Sequence, residues 1–194
     1  MEFEVNIIKF LQSGLSNGWI SFFQVITLFG SWLGLVIALF IIFRKKKVMA
    51  GLMLVTFVFA VAINFLIKNL VCRPRPFESF DFIVNYGGEG GYSMPSGHSV
   101  SAGVLATFLI AYIFQTSKSK SFRACGTIFI TLFALLIAFS RMVLGVHYFT
   151  DVIVGLVEGI VFASIALLIY TYYKYKMQKQ VEILMKFYKG DDDE

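Results

Sequence analysis

Two histidines and a few displaced cations carry whatever chemistry this chain can do. His98 and His147 are the only histidines in 194 residues, and each sits among basic residues. His98 closes the run Pro95-Ser96-Gly97-His98. His147 follows Ser140-Arg141 and precedes Asp151 by four residues, while Lys68, Arg73 and Arg75 crowd one stretch upstream. At that i, i+4 spacing His147 and Asp151 share a face if the turn is helical. A carboxylate on one imidazole nitrogen fixes the tautomer and leaves the other nitrogen free as a nucleophile. Lys68, Arg75 and Arg141 ask for an anion. The planar arginine fork suits phosphoryl oxygens, and lysine adds a point charge. His98 stands at the expected start of a helix, whose free N–H groups and positive dipole end also favour an anion, with Ser96 and Gly97 in the turn that presents them. A second histidine is available as an acid, so phosphoryl transfer here needs no metal. No carboxylate pair or His/Cys cluster at metal-ligand spacing occurs in the sequence, and neither metal nor cofactor is expected.

The elements that must position these residues are membrane helices. Hydrophobic residues make up 58% of the chain and charged residues 15%, and the mean hydropathy is +0.77. Soluble domains carry about 25% charged residues, so a soluble enzyme, a disordered tail and a disulfide scaffold are all disfavoured. Cys72 and Cys125 lie in different segments and read as isolated thiols. A spanning helix needs about 20 mostly apolar residues. Residues 19–43, 48–67, 99–117 and 124–140 are uncharged, and 152–173 is broken only by Glu158. The expected fold is therefore all-α, an integral membrane bundle of about five spans. Gly30-Ser31 interrupts the first stretch, which suggests an interfacial amphipathic region over 1–30, a membrane core over 31–173 with its first span beginning near Ser31, and a basic helical extension over 174–194 ending in a solvated acidic run. Glu2 and Glu4 stand where a cleaved leader would carry basic residues, so no such leader is expected.

Charge fixes the expected orientation. Twelve of the 17 basic residues fall in the 44–47 run, the 118–123 connection and the tail beyond 173, which the positive-inside rule places in the cytoplasm. Lys9, Lys68, Arg73, Arg75 and Arg141 are left on the outer face, four of them near the histidines. No nucleic-acid-binding motif accompanies the net charge of +5, so nucleic acid is not expected as a partner.

Lys68-x6-Arg75-Pro76, Pro95-Ser96-Gly97-His98 and Ser140-Arg141-x5-His147-x3-Asp151 together resemble the three-part signature of the type 2 phosphatidic acid phosphatase superfamily, which is related to vanadium-dependent haloperoxidases. Three motifs in order at these spacings are far more specific than any one of them. The resemblance implies that His147 attacks phosphorus to form a phosphohistidine, that Asp151 orients it, and that His98 protonates the leaving oxygen and then serves as base for water. It implies that Lys68, Arg75, Ser96, Gly97 and Arg141 hold the phosphoryl oxygens. The layout is similar to compact bacterial members, which implies a plasma-membrane enzyme with an extracytoplasmic site and a cytoplasmic C-terminus, acting on a membrane lipid phosphate. A polyprenyl diphosphate, phosphatidylglycerol phosphate and phosphatidic acid share the reactive group. The alternatives are a phosphotransferase that passes the group to another lipid or a sugar, and a non-catalytic phospholipid-binding or transport module.

Three features lie outside the signature. Arg73 is an extra cation, read as meeting lipid headgroups in preference to a second phosphate. Glu158 lies seven residues after Asp151 on the same helical face, and Asn64 four before Lys68, which suggests a polar wall beneath the site. The loop containing Gly87-Gly88-Glu89-Gly90-Gly91 is expected to be too flexible to pack.

Overall fold

The computed structural model describes residues 2–190, and all of their regular structure is helical. The helices are α1 (Glu2–Gln12), α2 (Asn17–Leu28), α3 (Trp32–Phe43), α4 (Lys47–Val71), α5 (Pro76–Ser79), α6 (Gly97–Thr116), α7 (Lys120–Val143) and α8 (Phe149–Gly190). The expected spans at 48–67, 99–117, 124–140 and 152–173 fall on α4, α6, α7 and α8, the four helices long and apolar enough to cross a bilayer. Even α6, with 20 residues, is about 30 Å long at a 1.5 Å rise, the thickness of a hydrocarbon core. Phe65, Phe129, Leu132 and Leu168 are exposed on the outside of the bundle. Such a coat is compatible with lipid and not with water, and the chain is an integral membrane helical bundle.

The first apolar stretch behaves differently. Helices α2 and α3 qualify as a span only as a pair, bent by 50° at 29–31. The 12 residues of α3 cover about 18 Å, so the helix that begins near Ser31 is too short to cross alone and belongs to the bent pair. The break packs on the site. A Cβ added at Gly30 would stand 3.1 Å from the His98 carbonyl and 2.6 Å from Ile137.

Two glycines set the position of α8 against α6. A Cβ on Gly159 would lie 2.1 Å from the Val100 carbonyl oxygen, and one on Gly155 would lie 2.5 Å from that of Ser96. Only bare backbone allows this approach, the small-residue packing that membrane helices use in place of a hydrophobic driving force. It brings the first turn of α6 beside the first turn of α8, where the Ser96 N–H donates to the Asp151 carbonyl at 3.0 Å. Met53, Phe57, Val100, Val104, Phe108 and Ala163 fill the space between α4, α6 and α8.

The alternating direction of the spans gathers the end of α4, the start of α6, the end of α7 and the start of α8 at one end of the bundle. The basic connections at 44–46 and 117–119 lie at the other, as does the helical continuation of α8 beyond 173. The acidic run expected at 191–194 lies outside the described residues. Helix α1 lies across the site end, with Val5 and Ile8 buried against Ile83 and Tyr148.

Candidate active site

Helix α4 stops at Cys72, whose left-handed backbone (φ 51°) closes the helix through an N–H donated to the Lys68 carbonyl. Pro74 and Pro76 then prevent any continuation, because each fixes φ and lacks an N–H. This turn directs Arg73 and Arg75 into the bundle end. Ser96 caps α6, with its Oγ accepting from the Ser99 N–H at 3.4 Å, and the first turn of that helix carries His98. Arg141 ends α7, and the following turn buries His147 at 1% exposure.

Four of the expected residues converge on one point, and a carboxylate occupies it. Glu89 Oε2 accepts from Arg75 Nη1 at 3.1 Å and lies 3.7 Å from His147 Nε2. Its Oε1 accepts from Arg141 Nη2 and lies 3.4 Å from His98 Nδ1. Both arginines and both histidines thus face one anionic group. Burial alone would raise the Glu89 pKa. The adjacent His147 ring and the charges of Arg141 and His98 outweigh it and hold the carboxyl well below its usual range, so Glu89 is ionised.

The loop that carries Glu89 corrects the expectation of a flexible segment. Gly88 and Gly91 adopt positive φ of 67° and 71°, which folds the loop back on Arg75. The Arg75 guanidinium donates from Nε to the Gly91 carbonyl at 2.8 Å and from Nη2 to that of Gly90 at 2.9 Å. A glycine-rich sequence read as slack is pinned by a buried arginine.

The remaining expected residues are placed as follows. His147 Nδ1 lies 3.6 Å from Asp151 Oδ2, longer than a hydrogen bond, and has no hydrogen-bond partner among the described residues; Nε2 faces the convergence point, 3.4 Å from Arg75 Nη1. Asp151 Oδ2 accepts from the Tyr148 N–H at 2.9 Å. Lys68 is not at the convergence point: its Nζ donates to the Tyr92 and Ser93 carbonyls at 2.8 and 3.3 Å and ties down the approach to Pro95. Ser96 serves as helix cap, and Gly97 is the first residue of α6.

Arg73 has partners that the sequence did not disclose. Its guanidinium is engaged inside the protein: Nη2 pairs with Glu4 at 2.9 Å and Nη1 with Asp151 at 2.5 Å, 4.0 Å over the Tyr148 ring. Asn64 and Glu158 do meet, with Asn64 Nδ2 3.5 Å from Glu158 Oε2 and 3.3 Å from the Pro95 carbonyl. Sequence reasoning missed Glu89, Glu4 and Thr27, whose hydroxyl accepts from Arg141 Nη1 at 2.6 Å. The one available signal was Glu89 itself, an acid between two glycine pairs in the connection joining two motifs.

An apolar cavity of about 300 Å³ lies between α3, α6 and α7. Its wall includes Phe29, Gly34, Leu105, Phe133 and Ile137, of which Phe29 and Ile137 adjoin Gly30 at the His98 backbone.

Fold and site together describe a membrane-embedded helical protein with two histidines and two arginines gathered around one carboxylate at one end of its bundle. The PAP2 superfamily sequence model matches residues 48–176, and the chain belongs to that superfamily. Among curated proteins it is 35% identical over 124 residues to phosphatidylglycerophosphatase B of Bacillus subtilis, a match covering 61% of this chain and 56% of that one. It is 32% identical over 166 residues to the lipid A 4'-phosphatase of Porphyromonas gingivalis, covering 78% and 66%. To the dolichyldiphosphatase of Saccharomyces cerevisiae it is 32% identical over 104 residues, covering 53% and 44%. The matches thus span 44% to 66% of these relatives' lengths. Two crystal structures share the fold. The transmembrane PAP2 type phosphatidylglycerolphosphate phosphatase of Bacillus subtilis has a TM-score of 0.77 at 23% identity, covering 88% of this chain and 86% of that one. LpxE of Aquifex aeolicus has a TM-score of 0.71 at 22% identity, covering 85% and 94%.

Proposed function

We propose that this chain is a lipid phosphate phosphatase, hydrolysing a phosphomonoester or diphosphate of a membrane lipid through a phosphohistidine on His147. The observation that carries this reading is the convergence of Arg75, Arg141, His98 and His147 on a single anion. In the reaction the substrate phosphoryl group takes the place of the Glu89 carboxylate. Arg75 and Arg141 hold its oxygens, and the Arg141 Nε–H, buried without a partner among the described residues, is a further donor for them. His147 Nε2 forms a bond to phosphorus as the bond to the lipid oxygen breaks, and His98 gives that oxygen a proton. Water then attacks phosphorus, His98 takes its proton, the P–N bond breaks and phosphate leaves. Asp151 keeps Nε2 as the free nitrogen.

The apolar cavity between α3, α6 and α7, whose Ile137 adjoins Gly30 at the His98 backbone, suits the hydrocarbon part of the substrate, which then enters from the bilayer and leaves only its headgroup at the site. The basic connections at the far end of the bundle favour an extracytoplasmic site and a cytoplasmic C-terminus. The relatives are a phosphatidylglycerophosphatase, a lipid A 4'-phosphatase and a dolichyldiphosphatase, and the candidate substrates are a polyprenyl diphosphate, phosphatidylglycerol phosphate and phosphatidic acid. The test is release of inorganic phosphate by the purified full chain in detergent, from a panel of these three lipids, with EDTA present. Turnover is expected on at least one of them and is expected to vanish in His147→Ala. Undiminished release by His147→Ala would refute the phosphohistidine route.

A further inference from the structure

Glu4 lies in α1, outside the 48–176 region matched by the superfamily, yet it is wired to the histidine–carboxylate pair. Its Oε1 accepts from the Thr150 N–H at 2.9 Å and from the Thr150 hydroxyl at 2.6 Å. Its Oε2 accepts from Arg73 Nη2 at 2.9 Å. Arg73 Nη1 in turn donates to the Thr150 hydroxyl at 2.7 Å and to Asp151 Oδ1 at 2.5 Å. The other Asp151 oxygen is the one held by the Tyr148 N–H and directed at His147 Nδ1.

This chain of contacts is a built structure and not a surface ion pair. Asp151 is fully buried, the Glu4 side chain is 11% exposed, and the Arg73 side chain is 17% exposed. Arg73 is held by its place over Tyr148 and by the Ser93 N–H donated to its carbonyl at 2.8 Å. A buried carboxylate with two oxygens can turn about its own axis. Here one oxygen is claimed by Arg73, which leaves the other to face the imidazole. Glu4 performs the same service for Arg73, and it also caps the first turn of α8 through Thr150.

From this geometry we infer that Glu4 and Arg73 are positioning residues for the reaction: the N-terminal helix, through Glu4 and Arg73, sets the orientation of Asp151 and hence which nitrogen of His147 is free. Neither residue touches the convergence point occupied by Glu89. The inference rests on the proposed role of His147 as nucleophile and extends the working site to a helix that no signature motif includes. It also accounts for Arg73 as a cation committed to two carboxylates.

The test combines turnover with nitrogen NMR of the full-length protein, labelled at its two histidines, in micelles; the signals are assigned with a His98→Asn variant. Glu4→Ala is expected to lower kcat by about 10- to 100-fold, the scale of loss when a reacting group is misplaced by about 1 Å, with KM changed less than about twofold. Arg73→Met should cost at least as much, and adding Glu4→Ala to it should cost nothing further, because both act through one chain. Arg73→Lys should recover part of the loss. In the NMR arm, the His147 ring of Glu4→Ala is expected to lose its single tautomer signature while His98 keeps its own. Glu4→Gln, which retains volume and an acceptor for Thr150, carries the measurement if Glu4→Ala does not fold. Wild-type kcat and unchanged His147 signals in a folded Glu4 variant would overturn the inference, as would additive losses in the double variant. If the wild-type chain releases no phosphate from any lipid, the functional reading fails, and the NMR arm still decides whether α1 governs His147.

Discussion

Replacing Glu89 should tighten the binding of a phosphate mimic, because the carboxylate and the phosphoryl group compete for one place. For an anion to bind between Arg75 and Arg141, Glu89 must give up its contacts with both. A hydrogen bond to a charged group contributes about 1.5–3 kcal/mol, so two set an upper bound of about 3–6 kcal/mol. The Glu89 side chain is 27% exposed and regains water on leaving, which reduces the effective penalty. Glutamine keeps an acceptor oxygen but loses the charge, which is the part that competes. A gain of about 1.4 kcal/mol, or tenfold in affinity, is the expected order. The assay is the competitive inhibition constant of orthovanadate in wild type and Glu89→Gln, since that constant does not depend on the variant's kcat. Asp81→Asn removes the same formal charge from an exposed residue and should leave the constant within about twofold, because exposed charges are well screened. An inhibition constant for Glu89→Gln that is unchanged or weaker would show that Glu89 does not hold the phosphoryl position.

Three further outcomes follow from other parts of the structure. Gly159→Leu should lower the thermal midpoint and abolish turnover together, because even a Cβ there would lie 2.1 Å from the Val100 carbonyl and overpacking costs about 1–3 kcal/mol or more; an unchanged midpoint would contradict the close approach of α6 and α8. Asn64→Leu should destabilise by about 1–3 kcal/mol, the cost of unpartnered buried polar groups, since it strips a donor from both Glu158 and the Pro95 carbonyl. Glu158→Gln, which keeps an acceptor for Asn64, should retain most of the wild-type midpoint in the same thermal scan. Stability should also fall on acidification: Glu4 and Glu89 both have lowered pKa values in the fold, burial opposing and their hydrogen-bonding and charged neighbours prevailing. Their contribution is complete above the unfolded carboxyl range near pH 4.3 and is lost as pH drops through the folded values. Midpoints measured from pH 7 down to pH 3 should show this loss, and it should shrink in Glu4→Gln.

The spans were legible because hydrocarbon imposes a simple length rule on sequence, and α6 and α7 begin ahead of their uncharged stretches because their caps lie there. Ser96 and Ser119 start α6 and α7 by accepting from Ser99 and Phe122, so each helix begins ahead of its hydrophobic segment. The bend between α2 and α3 was legible as an interruption at Gly30-Ser31, but its purpose was not, because the backbone of His98 that fills the gap is nearly 70 residues away. Cations were conspicuous for the same reason the spans were: an arginine beside a membrane helix violates a strong expectation. Acidic residues in a loop or near the N-terminus violate none. Glu89 and Glu4 read as solvated until the fold returns one onto Arg141 and the other onto Arg73.

That asymmetry explains how the charge of the site is distributed. Arg73 is committed to Glu4 and Asp151, and it leaves Arg75 and Arg141 as the cations at the convergence point, with Lys68 tied to the Tyr92 and Ser93 carbonyls. Among the described residues Glu89 is the carboxylate that pairs with both of these arginines, and one carboxylate against two guanidinium groups leaves a surplus of positive charge at the end of an apolar bundle, where uncompensated charge is costly. A phosphoryl dianion in the same place offsets more of that surplus than a single carboxylate can. Glu89 is therefore placed well enough to hold the arginines and histidines in register, and too weakly charged to hold the site against the proposed substrate. The glycines on both sides of it supply the backbone freedom that its departure requires, while Arg73, locked between α1 and α8, keeps Asp151 fixed throughout the exchange.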